Sequence, residues 1–178
     1  PADFALQNAG CVRISIPAGP ISFETASKLL PFSNILVEMP VTGAQLINTL
    51  EDGVANHLDH AGSSGGHPYM SGVRWDLDLS KNRGQRFSNI QVRDRNTGDW
   101  SPIDPTRSYT LVTHDYLASG KEGYATLGDI YASGNYVNTY LLYTQTFVDY
   151  VQQKGSVGRP PVSDYSHQRV IARDGKPL

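Results

Sequence analysis

A strand that runs directly into a glycine-rich loop constrains this chain more than any other stretch. Residues 109–114 read Tyr-Thr-Leu-Val-Thr-His, a run of β-branched and aromatic residues that predicts a strand. Residues 115–124 follow as Asp-Tyr-Leu-Ala-Ser-Gly-Lys-Glu-Gly-Tyr. The glycines let the backbone turn, the tyrosine rings can stack on a planar ligand, and the carboxylate can accept hydrogen bonds from hydroxyls. The stretch predicts either a ligand site with exposed aromatic rings or an ordinary strand-to-loop turn with surface tyrosines.

Length and charge limit the classes of protein to which the chain can belong. Its 178 residues are enough for one full domain with its own core. The formal net charge of -2 and the lack of a long basic run give no electrostatic case for binding nucleic acid. No apolar stretch approaches the roughly 20 residues of a membrane span. We therefore expect a globular domain with no nucleic-acid partner and no membrane span.

The single cysteine and the first residues add two further expectations. Cys11 alone excludes an internal disulfide and a cysteine-rich metal site, and it is expected to pack as a small apolar residue. The sequence has no starting Met and enters apolar sequence at Phe4, without a signal-peptide pattern. We therefore expect the chain to be a piece of a longer protein.

Hydrophobic periodicity predicts the secondary structure. Strands are predicted at 4–7, 11–16, 35–39, 69–79, 86–93, 109–114 and 169–173. Helices are predicted at 23–30, from about 42 to 57 and from about 139 to 154. Ser22 is a predicted N-cap, Thr42 and Gln45 fit a capping box, and Gly155 is a predicted helix stop. The strands from 69 to about 100 read as an antiparallel meander, and the whole as a single α+β domain with helices packed on a mixed, mostly antiparallel sheet.

Four stretches, in order, resemble the motifs of one family. Asn8-Ala-Gly-Cys-Val-Arg13 resembles Asn-x-Gly-x-[Ile/Val]-Arg, and Leu30-Pro-Phe-Ser-Asn34 resembles a Pro-Phe-x-Asn motif. Thr42-Gly-Ala-Gln-Leu46 resembles a Thr/Lys-Gly-x-x-Leu helix start, and Tyr116-Leu-Ala-Ser-Gly-Lys-Glu-Gly-Tyr124 resembles a Gly-Gly-Asp-Gly-[Tyr/Phe] loop. The chain resembles the C-terminal domain of the 5'-nucleotidase / UDP-sugar hydrolase family over about residues 1–171. This leaves 172–178 as a predicted frayed tail.

The resemblance implies a function that is divided between two domains. An N-terminal metallophosphoesterase domain in cis, outside this chain, would carry two divalent metal ions and the chemistry, so no cofactor is expected here. This domain would bind the nucleoside or nucleotide and position its phosphate. The whole enzyme would remove phosphate from nucleoside 5'-phosphates, with UDP-sugars and NAD as further substrates. Family resemblance alone also implies a periplasmic, secreted or cell-surface location.

The resemblance assigns binding roles residue by residue. Phe32 and Tyr116 fall where two aromatic residues sandwich the base, although Phe32 is otherwise read as a core residue after a helix. Arg13 falls where an arginine lies near the phosphate or ribose, a role that suits a guanidinium, and is otherwise a solvated strand residue. Glu122 falls at an aspartate that accepts from ribose hydroxyls. The remaining predicted site residues are Asn8, whose alternative role is turn formation, and the motif glycines Gly10 and Gly120.

Three departures from the motifs leave a second interpretation open. Lys121 replaces a glycine, so a positive φ there would be strained, and Glu122 is one methylene longer than aspartate. Tyr116 adds a hydroxyl that could bond an edge of the substrate. Lys121 and Glu122 would also fit a non-catalytic binding or interaction module that has kept the fold and lost the ligand site.

Other side-chain groupings fit known chemistry poorly. They are His57, His60 and His67; His114, Asp115 and Ser119; and Asp76 with Asp78. The first has no common zinc spacing and lies in a Gly/Ser loop, and the second lies too close in sequence for a triad. The two aspartates alternate with apolar residues, which indicates the wet face of a strand.

Overall fold

Nine strands and five helices follow one another along the chain, and the computed structural model describes all residues, Pro1–Leu178. The strands are β1 (Phe4–Asn8), β2 (Ile35–Thr42), β3 (Pro68–Ser71), β4 (Val73–Asp78), β5 (Phe87–Arg93), β6 (Trp100–Pro102), β7 (Ser108–His114), β8 (Val137–Leu142) and β9 (His167–Ile171). The helices are α1 (Phe23–Leu29), α2 (Gly43–Leu58), α3 (Asp115–Ala118), α4 (Ala125–Ala132) and α5 (Tyr143–Lys154). None of the helices combines the length and apolarity needed to cross a membrane.

The strands form two mixed sheets. The five-stranded sheet has the order β3-β1-β7-β2-β8, in which only β1 and β7 are parallel. The four-stranded sheet has the order β6-β5-β4-β9, in which only β4 and β9 are parallel. The predicted α+β class and the β4-β5-β6 meander are confirmed, with the strands divided between two sheets instead of one.

Local sequence signals place two of the helices as predicted. The Ser22 hydroxyl accepts a hydrogen bond from the Thr25 N–H at 3.1 Å, which caps α1. Thr42 and Gln45 form the predicted capping box at the start of α2. One face of α2 then buries Leu46, Leu50 and Val54 in the main core, a cluster of 22 buried residues that spans both sheets. The capping box thereby fixes the point at which β2 ends and α2 begins.

The predicted strand at 11–16 is wrong. Residues Ala9–Cys11 form a 3₁₀ turn, and the following residues are irregular, with Val12 and Ile14 exposed. No neighbouring strand is available to this segment. The Arg13 N–H instead donates to the Leu29 carbonyl at 2.9 Å. Alternation of apolar residues does not make a strand where no partner supplies the ladder of hydrogen bonds.

The predicted strand at 69–79 is divided. Gly72 has a φ of +82°, and the chain passes there from β3 in the five-stranded sheet to β4 in the four-stranded sheet. A Cβ at Gly72 would lie 2.9 Å from the Asp3 carbonyl oxygen. A glycine is therefore required at the point where the chain changes sheets.

The predicted helix at 139–154 begins later, and the region before it holds helices that periodicity missed. Val137–Leu142 forms β8, and α5 runs over Tyr143–Lys154 to the predicted stop at Gly155, whose φ is +72°. α3 lies in the stretch after β7 that the sequence predicts as a loop, and α4 follows at Ala125–Ala132, where the sequence predicts no element. Both are short, so neither presents enough turns for a periodic pattern to stand out.

Two peripheral segments complete the fold. β8 lies at an edge of its sheet and exposes Tyr140, Leu141 and Leu142. The residues 172–178 fold back, with the Ala172 N–H donating to the Lys176 carbonyl and the Leu178 N–H to the Val170 carbonyl.

Candidate functional site

A cavity of about 550 Å³ opens between the segment after β1, the loop before β2, the loop after α2 and the stretch after β7. That volume lies within the range of small-molecule sites. Its lining residues are Asn8, Ala9, Gly10, Cys11, Arg13, Phe32, Asn34, Ser63, Ser64, Gly65, Tyr116 and Glu122. Six of the seven predicted site residues are among them, brought together from three distant parts of the sequence.

Gly120 is the predicted site residue that does not line the cavity. Its φ is +90°, and a Cβ there would lie 3.2 Å from the Gly128 Cα in α4. The glycine allows the turn after α3 and the close approach of α4. Its place in the structure therefore accounts for a glycine without any contact to a ligand.

Phe32 and Tyr116 are both exposed at the cavity. Their exposed fractions are 44% and 38%, so Phe32 is not a core residue. We call the loop Pro31–Asn34 the Phe32 wall and the segment His114–Glu122 the Tyr116 wall. The Phe32 wall is held by its backbone, because the Phe32 N–H donates to the Tyr143 hydroxyl at 3.3 Å and the Leu30 carbonyl accepts from the Thr144 hydroxyl at 2.6 Å.

The Tyr116 wall is held by a buried histidine. The Nδ1 atom of His114 accepts from the Leu117 N–H at 3.4 Å, capping α3, and lies 3.4 Å from the Asn34 Nδ2 atom. Burial lowers the pKa of His114 to about 4, so the ring is neutral at pH 7. With Nδ1 as acceptor, the proton resides on Nε2 and is donated to the Asn8 Oδ1 atom at 3.0 Å. The Tyr116 ring stacks over this imidazole, with 6.2 Å between centroids.

Asn8 joins the walls to the cavity floor. Its side chain is buried, and its Nδ2 atom donates to the Gly65 carbonyl at 2.8 Å. At the same place the loops touch, since a Cβ on Gly10 would lie 3.0 Å from the Gly65 Cα. An alanine at Gly10 would force the two loops apart. Asn8 thus has a structural role at the floor of the cavity.

Arg13 and Glu122 supply opposite charges. The Arg13 Nη1 atom donates to the Gly10 carbonyl at 3.1 Å, and no carboxylate lies within 4.0 Å of its guanidinium. Glu122 accepts from the Tyr116 hydroxyl at 3.2 Å through Oε1, while Oε2 is buried without a hydrogen-bond partner. Burial and the nearby Glu122 charge raise the pKa of Tyr116. The guanidinium can bind an anion and the carboxylate can accept from hydroxyls.

From the sequence, a positive φ at Lys121 would be strained, but the turn does not place one there. The positive φ falls on Glu122, at +56°, and on the glycines on either side of the pair, while Lys121 keeps an ordinary φ. A non-glycine residue with a positive φ of this kind costs of the order of 1 kcal/mol.

The expected exposure of Tyr124 is wrong: its side chain is fully buried, and its hydroxyl donates to the Gly66 carbonyl at 2.5 Å.

Sequence reasoning missed several lining residues. Asn34 stands inside a motif that was recognised, and its spacing after Phe32 could have identified it. Ser63, Ser64 and Gly65 belong to a Gly/Ser loop that was read as solvated. Their proximity to Asn8 depends on a contact across 57 residues of sequence, for which a single sequence carries no signal.

The other groupings do not form reactive sites. No group of three or more His, Cys, Asp or Glu side chains is placed to hold a metal ion. His114 is engaged with Asn8 and Leu117, and the Ser119 hydroxyl donates to the Tyr116 carbonyl, so the two do not form a nucleophile–base pair. Burial raises the pKa of the Cys11 thiol, which favours its inert protonated form.

Comparison with known proteins places the chain in a family. The sequence profile described as "5'-nucleotidase, C-terminal domain" matches residues 1–129. The chain belongs to this family. The resemblance noted from the four motifs is thereby confirmed.

The relatives of this 5'-nucleotidase C-terminal domain agree with the profile. It is 34% identical over 154 residues to the NAD 5'-nucleotidase of Haemophilus influenzae, covering 85% of this chain and 25% of that protein. The structure of that NAD nucleotidase matches with a TM-score of 0.81, over 86% of this chain and 27% of that one. A probable 5'-nucleotidase of Treponema pallidum is 36% identical over 151 residues, which cover 84% of this chain and 25% of that protein.

A third protein supports the same fold. The structure of a 5'-nucleotidase precursor from Thermus thermophilus has a TM-score of 0.82 and 30% identity, covering 93% of this chain and 31% of that one. The 5'-nucleotidase C-terminal domain described here thus spans about a quarter to a third of the length of these relatives.

Proposed function

We propose that this domain binds the nucleoside part of a nucleotide for a 5'-nucleotidase-type hydrolase. The observation that carries the proposal is the position of Phe32 and Tyr116, two exposed aromatic side chains from distant segments that line one cavity. The base would stack between the two rings, an interaction of about 1–3 kcal/mol per base that tolerates different bases. Asn34, Ser63 and Ser64 would offer polar groups to the base edge.

The charged side chains of the cavity also suit a nucleotide whose base lies between the two rings. The unpaired guanidinium of Arg13 would bind phosphate or ribose oxygens, and the Glu122 carboxylate would accept from ribose hydroxyls. Asn8 and Gly10 would form the floor between them. The rival interpretation, a module that has lost its site, is less well supported because Glu122 lies in the cavity and Lys121 does not line it.

The reaction itself would take place on an N-terminal metallophosphoesterase domain in cis. Two divalent metal ions there would activate a water and stabilise charge on the phosphoryl group. The part played by this domain would be to bind the nucleoside and so orient the phosphate, while catalysing nothing alone. Nucleoside 5'-phosphates are the proposed substrates. NAD and UDP-sugars are included because one relative is named an NAD 5'-nucleotidase and the motifs resemble UDP-sugar hydrolases. Export to the periplasm, surface or medium is proposed on the family resemblance.

The test is a titration of the domain with adenosine, AMP, UMP, UDP-glucose and NAD, followed by NMR shifts. We expect saturable shifts at residues around the cavity, weakened in a Phe32→Ala variant. Phe23→Ala is the matched control, because Phe23 is exposed on α1 outside the cavity. The proposal is wrong if none of the five ligands produces a saturable shift at millimolar concentration.

A further inference from the structure

Two of the three residues that depart from the motif, Tyr116 and Glu122, are in direct contact. The Tyr116 hydroxyl donates to the Glu122 Oε1 atom at 3.2 Å, across one turn of chain. Tyr116 adds a hydroxyl to the motif, and Glu122 stands where the motif has aspartate. One substitution adds a hydroxyl and the other moves a carboxylate outward by about 1.5 Å, the length of a carbon–carbon bond. The two changes are therefore complementary in position.

Glu122 has no other donor to hold it. Its Oε1 atom receives only the Tyr116 hydrogen bond, its Oε2 atom receives none, and no Lys, Arg or His nitrogen lies within 4.0 Å. A carboxylate has about four lone-pair sites, so most of its accepting capacity is unused. A buried polar atom without a partner costs free energy, and a ligand that brings hydroxyl donors would remove that cost.

The backbone at Glu122 points to the same place. Its φ of +56° is a conformation that long side chains rarely adopt, and it sets the side chain at the cavity beside the Gly65 loop. Such strain persists where the surroundings over-determine it, which occurs often at ligand sites. The Glu122 side chain still has free torsions, and its terminal torsion is broad. The Tyr116 hydroxyl supplies the one hydrogen bond that restricts them.

We propose that Tyr116 is a positioning residue, whose hydroxyl holds the Glu122 carboxylate in place to accept from the sugar hydroxyls of a ribonucleoside. The inference rests on the proposed function and assigns the tyrosine a second role besides stacking. It also predicts which ligands should be affected. Ligands with sugar hydroxyls depend on the Tyr116–Glu122 pair, whereas ligands that lack those hydroxyls depend on stacking alone.

The experiment measures affinities for adenosine and 2',3'-dideoxyadenosine in the whole chain by NMR titration. Tyr116→Phe keeps the ring and removes the hydroxyl. We expect it to weaken adenosine binding by about tenfold to a hundredfold, as for loss of a hydrogen bond to a charged group, and to leave dideoxyadenosine binding within about twofold. Tyr150→Phe is the matched control, because Tyr150 is exposed on α5 and does not line the cavity.

A double-mutant cycle separates positioning from direct contact. In a Glu122→Ala background there is no carboxylate to hold, so adding Tyr116→Phe should change the adenosine preference no further. If the hydroxyl is worth the same with and without Glu122, it acts on the ligand directly and the inference is wrong. An unchanged adenosine preference in Tyr116→Phe also overturns it. If the unmodified chain binds neither ligand, the proposed function itself fails, and this inference fails with it.

Discussion

The two walls of the cavity carry similar aromatic rings and are held in different ways. The Tyr116 wall depends on side chains, since the buried His114 bonds to Asn8 and Leu117 and the Tyr116 hydroxyl bonds to Glu122. The Phe32 wall depends on its backbone, through hydrogen bonds with Tyr143 and Thr144. Where side chains hold the wall, replacing a residue that contacts the ligand also lowers the stability of the fold. Where the backbone holds the wall, the aromatic ring can be replaced without loss of stability. Substitutions on the two walls should therefore have different consequences.

The largest effect should come from breaking the Tyr116 wall at His114. We expect His114→Leu to lower the free energy of unfolding by about 2–4 kcal/mol, because it leaves the buried Asn8 Oδ1 atom and the Leu117 N–H without their partner. Denaturant unfolding measures this. His60→Leu, at an exposed position in the loop after α2, is the control. A loss below about 0.5 kcal/mol for His114→Leu, the usual range for surface substitutions, would show that the network does not support this wall.

Acid should weaken the same wall. The pKa values of His114 and His167 are lowered from 6.5 to about 4, chiefly by burial. Between these values the unfolded chain binds protons that the folded chain does not, so stability should be highest above pH 6.5 and fall as the pH drops to about 4. Each histidine would contribute up to about 3 kcal/mol to the free energy of unfolding above pH 6.5, and this contribution is lost as the pH falls. Denaturant unfolding curves at several pH values measure the sum of the two contributions. A free energy of unfolding that does not change between pH 6.5 and about 4 would contradict the prediction.

The contribution of His114 can be separated from that of His167. His114 lies in the Tyr116 wall, while His167 contacts His67 at 2.8 Å between their Nε2 atoms, beside the Ser64–Gly66 turn. His167→Gln should therefore reduce the pH dependence of stability, and the contribution of His114 should remain. If that variant removed all of it, the buried His114 would not be the acid-sensitive group of the Tyr116 wall.

Removing either ring should weaken nucleoside binding, by about 1–3 kcal/mol per stacking contact. The two substitutions should differ in their effect on thermal stability. Phe32→Ala should leave the melting temperature close to that of the parent, because its ring is exposed and its hydrogen bond to Tyr143 is made by the backbone N–H. Tyr116→Ala should also lower it slightly, since it removes the contacts to His114 and Glu122. Calorimetry paired with NMR titration measures both. If both variants bind like the parent, the two rings do not form the base site.

The smallest effect should come from loosening the Phe32 wall at its anchor. Tyr143→Phe removes the hydroxyl that accepts from the Phe32 N–H, a long hydrogen bond of 3.3 Å. We expect a loss of about 0.5–1 kcal/mol in stability and a faster amide hydrogen exchange at Phe32. Tyr150→Phe on the same helix is the control. Unchanged exchange at Phe32 would show that the anchor lies elsewhere.

Features that depend on neighbouring residues could be predicted from the sequence. The capping box of Thr42 and Gln45 and the helix stop at Gly155 need only local chemistry, and both are present. The ordered motifs located Phe32, Tyr116, Arg13 and the family. Local patterns and motif order were sufficient for the fold class and for six of the twelve residues that line the cavity.

Features that depend on distant contacts could not be predicted. The segment after Cys11 alternates like a strand and has no strand beside it, and only the fold shows this. The Ser63–Gly65 loop reaches the cavity through Asn8, and Gly72 diverts one apparent strand into two sheets. The Tyr116–Glu122 contact joins two residues six apart across a turn in which Glu122 has a positive φ, a conformation that the sequence suggested only for Lys121.

The parallel pairing of β4 with β9 has a consequence for biosynthesis. β9 follows the other eight strands described here, and it fills an edge of the four-stranded sheet next to β4. It also carries His167, which meets His67, 100 residues earlier, beside the turn that lines the cavity. Contacts of such long sequence separation form late and slowly. During translation the β4 edge of the four-stranded sheet therefore stays open to pairing with other chains until β9 has been made.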